Sequence, residues 1–170
     1  MSLAQLRGED PLNHESGVTE LSTPYAAPEF GVPVRYYPDV KASAGHGCPP
    51  VDEATVTMLN IAKEVLERKG VNINHAALLQ ASGDSMKGTI DDGDMMLVDT
   101  SDTQLVDGRV YAVSADNNVL VKRVQWIPNG IKLISDNPAY DSITVLNEDQ
   151  EEKARIVGRV IINWHVVTMI

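Results

Sequence analysis

The chain has 170 residues, 43% apolar and 22% charged, which suffices for one domain with a sizeable core and argues against wholesale disorder. Its 24 acidic against 14 basic residues give a net charge of -10, which repels a phosphate backbone and argues against DNA binding by this chain alone. The single cysteine, Cys48, excludes an internal disulfide framework, and neither a signal-peptide pattern nor an apolar run of roughly 20 residues is present, so a cytoplasmic protein without a membrane segment is expected.

Residues 1–31 scatter Pro, Gly, Ser and Glu without a period and read as an extended arm or linker, leaving 32–170 as the domain. Val32 to Tyr37 alternate and predict a first strand that Pro38 either ends or places at a sheet edge. Residues 40–48 are small and bend easily, which suits either a plain loop or a segment that enters a protease cleft. From Asp52 to Lys69, Met58, Leu59, Ala62, Val65 and Leu66 recur at three- and four-residue spacing. They predict one helix, with Asp52 as N-cap and Gly70 as C-cap. No second strong helix accompanies it, so a helix-turn-helix reader is not expected in these residues.

The apolar run Ala76 to Ala81 predicts a strand, and Gly83-Asp84-Ser85-Met86 follows as a sharp turn. At such a strand exit the Ser85 hydroxyl can face a cleft while the next backbone amides converge on one point; taken alone, the tetrapeptide reads first as an ordinary turn. Beyond it the pattern is β throughout: Asp94 to Val98, Arg109 to Val113, Val119 to Val124, Ile131 to Ile134, Ser142 to Leu146 and Ile156 to about Val167. Asp116-Asn117-Asn118 and Asn129-Gly130 supply hairpin chemistry between them. The expected fold is mainly β, antiparallel, with one packed helix.

Lys122 shares its strand face with Leu120 and Val124, so it is either partly desolvated or a snorkelling lysine whose amine reaches water. Burial disfavours the ammonium; acting as a base near neutral pH needs a fall of about 3 units from about 10.4, or about 4 kcal/mol. Ser85 and Lys122 together form a known variant of nucleophile plus base. Metal signals are weak. His46 and Cys48 lack a further pair to complete a zinc site, Asp91, Asp92 and Asp94 lack EF-hand spacing and read as a turn, and His14, His75 and His165 stand singly. No metal and no cofactor are expected.

The series Ala81 to Met86, Ile90 to Asp94, Leu97-Val98-Asp99, Asp107-Gly108 and Val121-Lys122-Arg123 resembles the LexA family of self-cleaving proteins, over about residues 32–168. That family includes LexA, the lambdoid phage repressors and the UmuD-like polymerase accessory proteins, and its fold is signal-peptidase-like. The resemblance implies Ser85 as nucleophile, Lys122 as base, the Ser85 and Met86 amides as oxyanion donors, and Ala44-Gly45 as the scissile bond in a cleavage loop at about 40–48. It further implies a homodimer, a RecA filament as activator, and contact with DNA only through an N-terminal part upstream of this chain. The apolar segment Val157 to Ile170 also fits pairing of two copies. Gly88 departs from the family, which commonly has Pro soon after the Met, and leaves the backbone after the nucleophile less constrained. An UmuD-like accessory role and a non-cleaving dimerisation module of the same fold are the alternatives.

Overall fold

Short runs of β-branched and apolar residues, separated by Gly, Asn and Asp, become strands wherever a neighbour completes their ladders. The computed structural model describes residues 31–43, 56–115, 118–147 and 154–165. Along them run β1 (Val32–Ser43), β2 (Thr57–Ile61), α1 (Lys63–Lys69), β3 (Ala76–Ser82), β4 (Met95–Asp99), β5 (Val110–Ala115), β6 (Asn118–Ile127), β7 (Gly130–Ile134), β8 (Ile143–Leu146) and β9 (Arg155–Trp164), with a 3-10 turn at Ile73–His75. The strands form one nine-stranded sheet in the order β2-β1-β3-β4-β9-β5-β6-β7-β8. Among the described residues no helix is long and apolar enough to cross a membrane.

The mainly β expectation holds, with two differences. The sheet is mixed, because β1 runs parallel to β3 while the other pairs are antiparallel. The expected helix from Asp52 is also shorter. Thr57–Ile61 is a strand paired with β1, and α1 covers only Lys63–Lys69, closed by Gly70 as expected. Leu59 and Ile61, two apart, turn inward beside Val34, and this alternation coexists in the sequence with the helical spacing of Ala62, Val65 and Leu66. A neighbouring strand decides between them. The proposed N-cap Asp52 lies outside the described residues, as do residues 1–30, Ala44, Gly45, His46, Cys48, Asp116 and Asn117.

β3 and β4 read as continuous apolar runs because both of their faces are covered. Leu78 and Leu97 pack with Val34 and Leu66 on the helix side, while Leu79, Met96 and Val98 pack with Ala112 and Val121 on the other. The sheet curls enough for β1 to pack against β6, which is not its hydrogen-bonded neighbour. β9 enters between β4 and β5 and so joins the two halves of the sheet. It bulges against both neighbours, and at Gly158 a Cβ would lie 2.3 Å from the Asp99 carbonyl oxygen, so only glycine fits there. Part of the apolar character of β9 is thereby used inside the domain, with the half-buried Ile162 and Trp164 against the helix-side core and Val157 and Val160 against the other.

Candidate active site

Ser85 follows β3 directly. Gly83 (φ 87) turns the chain and its amide donates to Asp92 Oδ1 at 2.7 Å. Residues 84–90 then form overlapping hydrogen-bonded turns, with the Lys87 amide on the Asp84 carbonyl at 3.1 Å and the Ile90 amide on the Met86 carbonyl at 2.9 Å. Met86 and Ile90, four apart, both enter the core, which fixes the turn against the sheet. The Ser85 and Met86 amides lie just before the first of these bonds in the chain. Gly88 sits at φ 97, a value that proline cannot adopt, so a proline would not fit this backbone.

The acidic turn after Ser85 is held by its own carboxylates. Asp94, 1% exposed, accepts from the Asp91 amide at 2.9 Å and from Asn163 Nδ2 at 2.7 Å, and its Oδ1 lies 2.9 Å from His165 Nδ1. Asp91, Asp92 and Asp94 thus act as turn ties, and His165 as a partner of that turn. His75 contributes its carbonyl to the Thr100 amide and hydroxyl, both at 2.9 Å.

Lys122 lies in mid-strand, paired with Tyr111 of β5, and is 4% exposed; Val124 on its face is fully buried and Leu120 nearly so. Burial pushes its amine below the ordinary lysine value, and the nearby Asp136 carboxylate pulls the other way. The amine does not snorkel to water. It donates to Ser135 Oγ at 2.8 Å, and the Tyr140 ring centroid lies 6.0 Å from Nζ.

The segment after β7, Ser135 to Tyr140, joins the two halves of the site. The β6–β7 ladder ends at Arg123↔Ile134, so Ser135 falls across from Lys122. Asp136 receives Arg123 Nε at 2.8 Å and Nη2 at 2.5 Å, and the Thr89 hydroxyl at 2.6 Å. The guanidinium bonds hold the Asp136 carboxyl below its usual range, and the same bonds raise Arg123. Asn137 donates its amide to the Ser85 carbonyl and its Nδ2 to the Asp84 carbonyl, both at 2.9 Å, while the Tyr140 hydroxyl donates to Asp84 Oδ1, which raises the phenol's pKa. Ser85, 7% exposed, and Lys122 thus both contact one segment, the first through the Asn137 amide on its carbonyl and the second through Ser135 Oγ, and the members of that segment lie 13 to 56 residues away in sequence from their partners. Sequence reasoning missed Ser135, Asp136, Asn137 and Tyr140; the only local signal was a polar Ser-Asp-Asn-Pro cluster ending an apolar strand.

Backbone register adds a third component. Along β3, Lys41 pairs with Gln80, Ala42 with Ala81 and Ser43 with Ser82, so β1 is led along the strand that ends in the Ser85 turn. Val40 to Ser43, expected in a loop, are thus strand. A cavity of about 220 Å³ nearby, lined by Thr89, Arg109, Arg123 and Asn163, includes neither Ser85 nor Lys122.

Comparison with known sequences identifies relatives of the chain. The chain is 33% identical over 133 residues to the 26 kDa repressor protein of Escherichia phage HK022, covering 75% of this chain and 56% of that protein. It is 32% identical over 143 residues to Repressor protein CI of Enterobacteria phage phi80, covering 82% and 58%. A shorter match, 38% over 69 residues, reaches the LexA repressor of Paraburkholderia xenovorans and covers 40% and 32%. The chain thus spans little more than half the length of the two phage repressors. Residues 35–161 match the family described as Peptidase S24-like, and the chain belongs to that family.

Proposed function

We propose that this chain is the self-cleaving and dimerising part of a phage-type or LexA-like repressor, cut between Ala44 and Gly45 by Ser85 and Lys122. The observation that carries the reading is the joint burial of Ser85 and Lys122 on either side of Ser135 to Tyr140, beside a β1 strand whose Ser43 pairs with Ser82. Neutral Lys122 takes the Ser85 hydroxyl proton as Oγ bonds to the Ala44 carbonyl carbon, and the Ser85 and Met86 amides hold the oxyanion. The Ala44–Gly45 bond then breaks, the lysine proton passes to the Gly45 amine, and water attacks the Ser85 ester with Lys122 again as base. Because the substrate is part of the chain, a high effective concentration replaces binding affinity and turnover is single.

Incubation of the purified chain at about pH 10, near the unperturbed lysine value, should give two fragments without an activator, with mass spectrometry placing the cut between Ala44 and Gly45. The fraction cut per hour should not change on dilution. Gly45→Glu should block cleavage by putting a bulky charge at the scissile bond. An intact wild-type chain after days at that pH would favour the non-cleaving dimerisation module.

By the same reading the domain pairs as a homodimer, a RecA filament stimulates cleavage, DNA is contacted only by an N-terminal part, and the protein works in the cytoplasm. Sedimentation equilibrium at tens of micromolar, the scale of weak pairs, should return the dimer mass; a monomer there would remove that part of the proposal.

A further inference from the structure

We propose that Ser135 is a positioning residue for Lys122, holding Nζ so that the lone pair of the neutral amine faces the Ser85 hydroxyl. This rests on the Ser85–Lys122 reading and extends it to a residue that sequence reasoning did not single out. A neutral amine has two N–H bonds and one lone pair, and rotation about Cε–Nζ offers three staggered placements of that lone pair. Donation to Ser135 Oγ at 2.8 Å leaves only placements that aim the lone pair elsewhere. Both groups are buried, Ser135 at 6% and Lys122 at 4% exposed, so water competes little for the bond.

Ser135 itself is held from both sides. Ile134 before it closes the ladder with Arg123, Asp136 after it is clamped by Arg123 and Thr89, and Asn137 is tied to the Ser85 carbonyl. A serine so placed transmits the position of the nucleophile turn to the base. Alanine would fill nearly the same space but leave Nζ without this acceptor. The titratable groups around Lys122 are the Asp136 carboxylate, its partner Arg123, the Tyr140 phenol with Asp84 behind it, and Tyr111 across the β5 pairing.

The test uses two readouts. In an uncut Ser85→Ala chain, the Lys122 Cε resonance, assigned by its loss in Lys122→Arg, is titrated with and without Ser135→Ala. A hydroxyl acceptor favours the ammonium, so its removal should lower the lysine pKa by about one unit. In the cleaving chain, Ser135→Ala should lower the plateau rate at alkaline pH about tenfold, and Ser135→Thr, which keeps the hydroxyl, should recover most of it. Thermal melts of both variants separate a folding defect from loss of positioning. A lysine titration that does not move, or a plateau rate that does not fall, would overturn the role of Ser135. Cleavage that survives Lys122→Ala would instead overturn the dyad on which it rests.

Discussion

Ser85 stands on a turn tied down by side chains, from Asp92, Asp94 and Asn137, whereas Lys122 stands in mid-strand, paired with Tyr111 of β5 and one residue beyond the end of the β7 ladder. The place of Ser85 is thus set by polar bonds together with the Met86 and Ile90 anchors, and that of Lys122 by the register of the sheet. The difference matters because the two sides fail differently. Loss of one polar tie shifts the turn and leaves the fold, while a defect in the ladder moves the lysine only by disturbing the core on which the whole domain depends.

The strongest way to break the comparison is to remove the chemistry from either side. Ser85→Ala and Lys122→Ala should each lower self-cleavage by at least about 1,000-fold with the fold retained, because nucleophile and base act as a unit. Fragment yield on a denaturing gel checks this, and a residual rate within a few fold of wild type for either would contradict it.

A ladder defect comes next. Gly158→Ala brings a methyl against the Asp99 carbonyl oxygen, where β9 joins the two halves of the sheet. Overpacking of this kind costs about 3 kcal/mol, and the urea midpoint should fall accordingly. On the turn side, Asn137→Ala removes the Nδ2 bonds to Asp84 and the Oδ1 acceptor of the Ala139 amide but keeps the backbone bond to Ser85, so it should cost about 1–2 kcal/mol while slowing cleavage more than that loss of stability accounts for.

The two charged groups sharpen the comparison through pH. Lys122 has a folded pKa below its unfolded value, so between the two the unfolded chain binds more protons and stability rises with pH up to about 10.4. Measured against Lys122→Met, which lacks this group, the wild type should therefore gain stability as pH rises through that window. Asp136 behaves the opposite way around its own range. Its folded pKa is lowered, so its contribution is present above the unfolded value of about 3.9 and is lost as pH falls through the folded one. Asp136→Asn should flatten that part of the acid denaturation curve, the smallest of these effects because the pair is partly exposed.

How legible each side was in the sequence follows from the same contrast. The Ser85 turn was readable because Gly83 and Asp91 to Asp94 are local turn chemistry, and the Lys122 strand because alternation of Leu120, Lys122 and Val124 needs no distant partner. Thr57–Ile61 was misassigned because Met58, Leu59, Ala62, Val65 and Leu66 satisfy a helical spacing while Leu59 and Ile61 satisfy a strand, and only β1 decides. The parallel β1–β3 pairing was hidden for the same reason, since nothing local to Lys41 to Ser43 specifies Gln80 to Ser82 as partners. Ser135 to Tyr140 went unread because their roles exist only once β7 brings them to Lys122 and the Ser85 turn.

The most direct test of the paired role of Ser85 and Lys122 is the rate of self-cleavage from about pH 6 to about pH 11, spanning the lysine range, in wild type and Lys122→Ala side by side. The wild-type rate should climb tenfold per unit and level off at a pKa below the ordinary lysine value, as burial of Lys122 requires, with the variant flat and near zero throughout. A variant that cuts as fast as wild type, or a wild-type rate with no plateau and no dependence on Ser85, would contradict it.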